Sequence, residues 1–282
     1  MKNKSSICYW ILSAVLAGGC AALPMTARTE KARGFAFQKG LTAETVTAGD
    51  FTLNVFMRAA EPGKEAVFYI EGDGLAWLSR GRISPDPTPV DFVALKLAVR
   101  DPSPNVIYLG RPCQYDSLEN DALCSSKEYW TGKRFAPEVV RALDEAVSIY
   151  KERFRFRAVH LTGFSGGGAL AVLVAAGRDD VASIKTVVGN LDHEAVNRLH
   201  GVSPLAGSLN AIDVAPQVRD IPQIHYTGLK DKVVPPVIAE GFKDAAGDDR
   251  CILIVNMENA GHTEGWEDKW QALLSWVPRC KT

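Results

Sequence analysis

The sequence predicts a single α/β domain: a mostly parallel central sheet with helices on both faces. Three observations carry this expectation. Short continuous apolar runs, such as residues 66–70 and 106–109, read as strands covered on both sides. Amphipathic helical stretches alternate with them, as crossover connections between parallel strands require. The 282 residues, 46% hydrophobic and 23% charged, supply one large core without demanding two domains.

Along the chain, residues 35–56 form short strand-like pieces broken at Gly40 and at Gly49-Asp50, an antiparallel start. After the strand at 66–70 comes a proline-rich loop (Pro85, Pro87, Pro89), then helical spacing over 90–99 and a strand at 106–109. Pro137 opens a helix whose apolar face carries Val139, Val140, Leu143, Val147 and Tyr150. A strand at 158–161, a small-residue helix at 169–176 and a strand at 184–188 follow. Residues 191–220 break the rhythm with two short helical pieces and a Gly/Ser/Pro loop, a small insert after the sixth strand where a lid would sit. Strand 223–226, a helix near Ala239, strand 252–255 and a last helix through Trp270 and Trp276 complete the pattern. The domain reading is therefore 35–282, preceded by a basic, small-residue tether at 20–34.

Lys2 and Lys4 followed by an uncharged apolar run to Gly19 read as an export signal over 1–19, too short to span a bilayer comfortably. Leu16-Ala17-Gly18-Gly19-Cys20 resembles the lipobox of bacterial lipoproteins. That resemblance implies cleavage before Cys20, diacylation of its thiol and a membrane anchor in the bacterial cell envelope, facing the periplasm. Ala17 departs from the commonest lipobox residue and keeps cleavage by the ordinary signal peptidase, and plain secretion, open. Of six cysteines, four remain for the folded domain. An oxidising compartment permits disulfides, and pairing by proximity in sequence gives Cys113–Cys124 and Cys251–Cys280, one of three connectivities. Four free thiols are the alternative. No spacing suits a metal site. A net charge of −1 provides no whole-molecule field for nucleic acid or for an anionic membrane.

The sharpest local signal is Gly163-Phe164-Ser165-Gly166-Gly167, entered from an apolar strand and left by a small-residue helix. Such a turn lifts a serine hydroxyl above the sheet and aims a helix N-terminus at it. An acid and then a histidine follow on loops after later strands: Asp231 in Gly228-Leu229-Lys230-Asp231, and His262 in Ala260-Gly261-His262. In these motifs and their order the chain resembles the α/β-hydrolase superfamily from about Phe35 onward. The resemblance implies the α/β-hydrolase fold and a Ser165–Asp231–His262 triad. Asp192, after the preceding strand, is the alternative acid. It also implies an oxyanion hole from the amides of Gly166 and Asp73, the latter in Glu71-Gly72-Asp73-Gly74. A carboxylate aimed into that hole would repel the oxyanion, so the Asp73 side chain is expected to turn away toward backbone or an arginine.

Arg111 is a candidate clamp for an anionic substrate group, with neutralisation of Glu71 and Asp73 as the alternative role for the nearby arginines. Trp77 and Trp130 are candidate pocket walls, with aromatic packing under the loops as the alternative. His160 and His225 fall within strand patterns and read as structural. His193 reads as part of a solvated helix face, with a substrate contact as the alternative. The function this implies is hydrolysis of an ester or related acyl bond of a small molecule through an acyl-enzyme, without cofactor. A peptidase or amidase, an acyltransferase or a catalytically silent envelope lipoprotein are the alternatives.

Overall fold

The computed structural model describes residues 25–247 and 250–281. The signal and the lipidation candidate Cys20 lie outside the described residues.

Helix α1 (Met25–Gln38) comes first. Residues 25–38 were expected as tether and strand, and the structure corrects this. Ala32 and Ala36 are fully buried, and the guanidinium of Arg28 is buried against the Asp86 carboxylate and the Thr88 carbonyl. Strands β1 (Thr42–Ala48) and β2 (Phe51–Ala59) then pair as an antiparallel hairpin. Its two-residue turn, Gly49-Asp50, has glycine at φ +53°, a conformation side-chain-bearing residues seldom adopt.

Next come β3 (Ala66–Ile70) and a small hairpin of β4 (Trp77–Ser79) and β5 (Arg82–Ile83) that the sequence pattern does not announce. They are followed by α2 (Val93–Ala98), β6 (Asn105–Leu109), α3 (Ser117–Asn120) and the long α4 (Pro137–Phe154). Strand β7 (Val159–Phe164) leads into α5 (Gly166–Ala175) and β8 (Val181–Val187). Helices α6 (His193–His200) and α7 (Ala215–Val218) lie before β9 (Gln223–Gly228). Helix α8 (Val237–Ala246), β10 (Ile252–Met257) and α9 (Trp270–Leu274) close the chain.

The main sheet has eight strands in the order β1-β2-β6-β3-β7-β8-β9-β10. The first two are antiparallel to their neighbours and the rest run parallel. Strand alternation divides the core. Phe68 and Ile70 of β3 join one cluster with α4, α5 and α8, whereas Tyr69 faces the other with α1, α2 and α9. On that second face the fully buried Trp270 donates its indole N–H to the Tyr69 hydroxyl (3.0 Å), which donates to Asp101 (2.6 Å).

Disulfides join Cys113 to Cys124, across the loop after β6, and Cys251 to Cys280, tying the start of β10 to the chain beyond α9. By loop closure each contributes roughly 3–4 kcal/mol. Because six strands run parallel, the loops after β3, β6, β7, β8, β9 and β10 gather at one edge of the sheet.

Candidate active site

At the end of β7 the chain turns sharply into α5. Ser165 holds φ +51° and ψ −118°, outside the comfortable regions for a residue with a side chain. Strain of this kind costs about 1–3 kcal/mol and persists only where surrounding bonds enforce it. Here the Ser165 amide donates to Val187 O (2.9 Å), and its carbonyl accepts from Gly168 and Asn190 amides (both 2.9 Å). With the backbone so occupied, the hydroxyl is left facing outward. Two glycines make the turn possible by close approach. A Cβ at Gly163 would strike the Gly167 carbonyl, and one at Gly167 would strike the carbonyl of Ile70 on β3.

Strands β9 and β10 deliver the other two groups. After β9, the Asp231 carboxylate is buried, and one of its oxygens accepts from the amides of Val233 (2.7 Å) and Val234 (3.0 Å). The other lies 2.8 Å from His262 Nδ1. After β10, the loop bearing His262 is pinned from behind, where the fully buried Trp266 donates its indole N–H to Gly261 O (3.0 Å). The His262 ring packs against Phe164 at 5.3 Å, and its Nε2 lies 3.0 Å from Ser165 Oγ. With Nδ1–H donating to Asp231, Nε2 is left as an acceptor aimed at the serine hydroxyl. Three side chains from positions 165, 231 and 262 thus converge above one sheet edge.

The loop after β3 brings Asp73 over Gly166, next to Ser165. Glu71 is buried beneath it, accepting from the amides of Gly72 (2.9 Å) and Ala94 (3.3 Å) and from the Tyr108 hydroxyl (3.1 Å). Burial pushes its carboxyl up to about 7, against those hydrogen bonds. Gln114 donates to Gly72 O (2.9 Å), and Leu75 donates to Pro87 O (3.0 Å). Gly74, at φ +64°, has no room for a Cβ beside the Pro87 carbonyl.

The Asp73 carboxylate lies between two guanidiniums, those of Arg111 and Arg134, the latter at 2.6 Å. Burial alone would raise this carboxyl. The guanidiniums, Arg134 foremost, overcome it and hold the group below the usual carboxylate range. A Cβ at position 166 would fall on the Asp73 carboxylate, so glycine there makes room for the ion pair.

No protein-family model matches the chain, and no curated protein matches it in sequence. Solved structures do match. An esterase of Pyrococcus furiosus superposes with a TM-score of 0.60 at 12% identity, over 84% of this chain and 92% of that one. A bacterial membrane phospholipase A gives 0.55 at 17% identity, covering 89% of each chain. The acylaminoacyl peptidase of Pyrococcus horikoshii gives 0.61 at 12% identity, over 86% of this chain and 41% of the longer peptidase. The chain has the α/β-hydrolase fold.

Within that hydrolase fold the remaining candidates are distributed as follows. Asp192 is not beside His262. It caps α6, accepting from the Ala195 amide (3.0 Å) and the Asn210 side chain (2.9 Å). The Arg111 guanidinium is buried on Asp73, donates to Arg134 O and stacks over Phe135 at 5.3 Å. It is a neutralising partner rather than a free clamp. Trp130 is buried with its indole N–H on Ser84 O (3.1 Å), so it packs inside the protein instead of walling an open pocket. Trp77 is exposed on β4.

His193 corrects the expectation of a solvated face. It is 3% exposed and packs against Phe135 at 5.9 Å, and burial lowers its pKa. His160 bonds Ser183 Oγ (2.7 Å) and Glu65 (3.1 Å), while His225 bonds Thr186 Oγ1 (2.8 Å). Burial takes His225 down to about 3, so it stays neutral. The 191–220 insert is tied to the body through Leu209 N to Phe135 O (2.9 Å) and Phe135 N to Ser208 Oγ (3.0 Å).

Two contributors went unnoticed in the sequence: the Asn190 amide that fixes the Ser165 carbonyl, and Arg28 beneath the 86–88 loop. Asn190 stands three residues past β8 at the same edge, which was the available signal.

Proposed function

We propose that this chain is a serine hydrolase that cleaves an ester or related acyl bond of a small molecule through an acyl-enzyme. The observation that carries the reading is the relay of 3.0 Å from Ser165 Oγ to His262 Nε2 and 2.8 Å from His262 Nδ1 to Asp231. Ser165 Oγ attacks the carbonyl carbon while His262 takes its proton. Asp231 holds the imidazole tautomer and stabilises the imidazolium. The Gly166 and Asp73 amides receive the oxyanion, each worth about 3–4 kcal/mol in the transition state. His262 returns the proton to the leaving oxygen or nitrogen, and water then repeats the sequence on the acyl-enzyme. Esterases and a peptidase among the structural neighbours are consistent with either leaving group.

The two disulfides support an oxidising compartment for the domain, in keeping with an exported protein anchored at Cys20 in the bacterial envelope. The test is fluorophosphonate labelling, followed by turnover of p-nitrophenyl esters and aminoacyl amides, each with Ser165→Ala as control. Labelling and ester turnover that vanish in Ser165→Ala support the reading. A folded wild-type protein that neither labels nor turns over any of these compounds refutes it and favours a binding role. Faster amide turnover would redirect it to a peptidase.

A further inference from the structure

We infer that the β4–β5 hairpin forms a face that docks on an anionic lipid bilayer. The hairpin follows the 72–76 loop, and its residues 77–82 are exposed. Trp77 and Leu78 are 41% and 38% exposed, and Ser79, Arg80, Gly81 and Arg82 are exposed with them. Among the described residues neither Arg80 nor Arg82 has a carboxylate partner, whereas the neighbouring Asp73, Asp86 and Asp91 are already paired with Arg111 and Arg134, Arg28, and Lys96. The tip therefore carries two uncompensated guanidiniums beside a tryptophan and a leucine.

Single exposed apolar residues are ordinary and need no partner. The arrangement here differs in three ways. First, the hairpin base is rigid: Ser84 N bonds Ala76 O (3.0 Å), Ser84 Oγ bonds Asp86 O (2.7 Å) and Trp130 bonds Ser84 O (3.1 Å). Presenting these side chains costs little ordering. Second, the chemistry suits a lipid headgroup layer, where tryptophan sits at the interface and arginine pairs phosphate. An apolar tip of two residues is far smaller than the ~800 Å² per partner of a stable protein interface.

Third, the chain enters the domain at this place. Arg28, on the first turn of α1, bonds Asp86, three residues beyond the end of β5. Cys20 stands five residues before Met25, a reach of at most ~17 Å in extended chain. An acyl group on Cys20 would be tethered within that distance of the first turn of α1. The inference rests on the hairpin and not on that acylation, nor on the hydrolase reading, because binding is read without turnover.

The test uses the mature chain with Cys20→Ser, which keeps every element of the described fold and removes any acyl contribution. Co-sedimentation is measured with phosphatidylcholine vesicles containing phosphatidylglycerol and with phosphatidylcholine alone. The expected result is binding to the phosphatidylglycerol vesicles that weakens as salt is raised. It should fall about tenfold or more in Arg80→Glu/Arg82→Glu, with less binding in Trp77→Ser/Leu78→Ser. A blue shift of tryptophan emission on vesicle addition should be lost in Trp77→Phe. Unchanged melting temperatures certify the fold of each variant. No binding to phosphatidylglycerol vesicles at low salt overturns the inference, as does equal binding by wild type and Arg80→Glu/Arg82→Glu. Indifference to headgroup charge overturns it too.

Discussion

Asp73→Asn probes the ion cluster beside the serine. The substitution keeps the shape and one acceptor but removes the charge that two arginines share. The Arg111 side chain is 4% exposed and that of Arg134 15%, so both guanidiniums lose their counter-ion where water cannot replace it well. Removing one partner of a buried pair costs about 3–5 kcal/mol. For a domain of this size that is roughly 10 °C in melting temperature. Arg111→Met is milder, about 1–3 kcal/mol, because Asp73 keeps Arg134 while the Arg134 carbonyl loses one donor. The double variant should be less destabilised than the two singles summed, since their costs share the same contact.

Urea denaturation followed by tryptophan fluorescence measures all three. The cluster also has a pH signature. Because the folded carboxyl lies below its unfolded value, its stabilisation is complete above the usual carboxylate range and is lost as pH falls through the lowered value. Asp73→Asn should flatten that acid limb. Ester turnover by Asp73→Asn should fall up to about a hundredfold in kcat, because the displaced amide is one of two proposed oxyanion donors. An Asp73→Asn protein within 1 kcal/mol of wild type, or no less stable than Arg111→Met, refutes the account of the cluster.

Three further outcomes are expected. Gly167→Ala should abolish soluble expression or lower melting steeply, because its Cβ would meet the Ile70 carbonyl in the sheet, and a thermal scan decides it. Glu71, raised to about 7 by burial, binds more protons folded than unfolded between its ordinary value and about 7, so stability should decline as pH rises through that window. Glu71→Gln should remove this slope, on the order of 3 kcal/mol between the two limbs, in denaturation curves at each pH. Replacing Cys251 and Cys280 together by alanine should cost roughly 3–4 kcal/mol, read as a lower urea midpoint.

What the sequence revealed and what it concealed divide along local and non-local physics. The Ser165 turn was legible because strand, glycines and helix N-terminus are adjacent in sequence, and Asp231 and His262 because parallel strands deliver their following loops to one edge. Asp192 was ambiguous for the same reason, since a carboxylate after a strand also suits a helix cap, which is its place here. Helix α1 was missed because it buries Arg28, Ala32 and Ala36, at i, i+4 and i+8, instead of an apolar stripe. Its charge is met by Asp86, 58 residues away, and no local pattern reports such a partner. His193 was misread likewise: the Phe135 that covers it comes from an element far away in sequence.

The space above Gly166 is already filled by a carboxylate belonging to another loop. Positions 73 and 166 therefore cannot be varied independently. A mutational library that adds side chains at 166 alone would have to displace this ion pair, whereas pairing each addition with a small neutral residue at 73 and an uncharged one at 111 opens new volume beside Ser165. Reshaping the space beside Ser165 is, in that sense, a three-position problem.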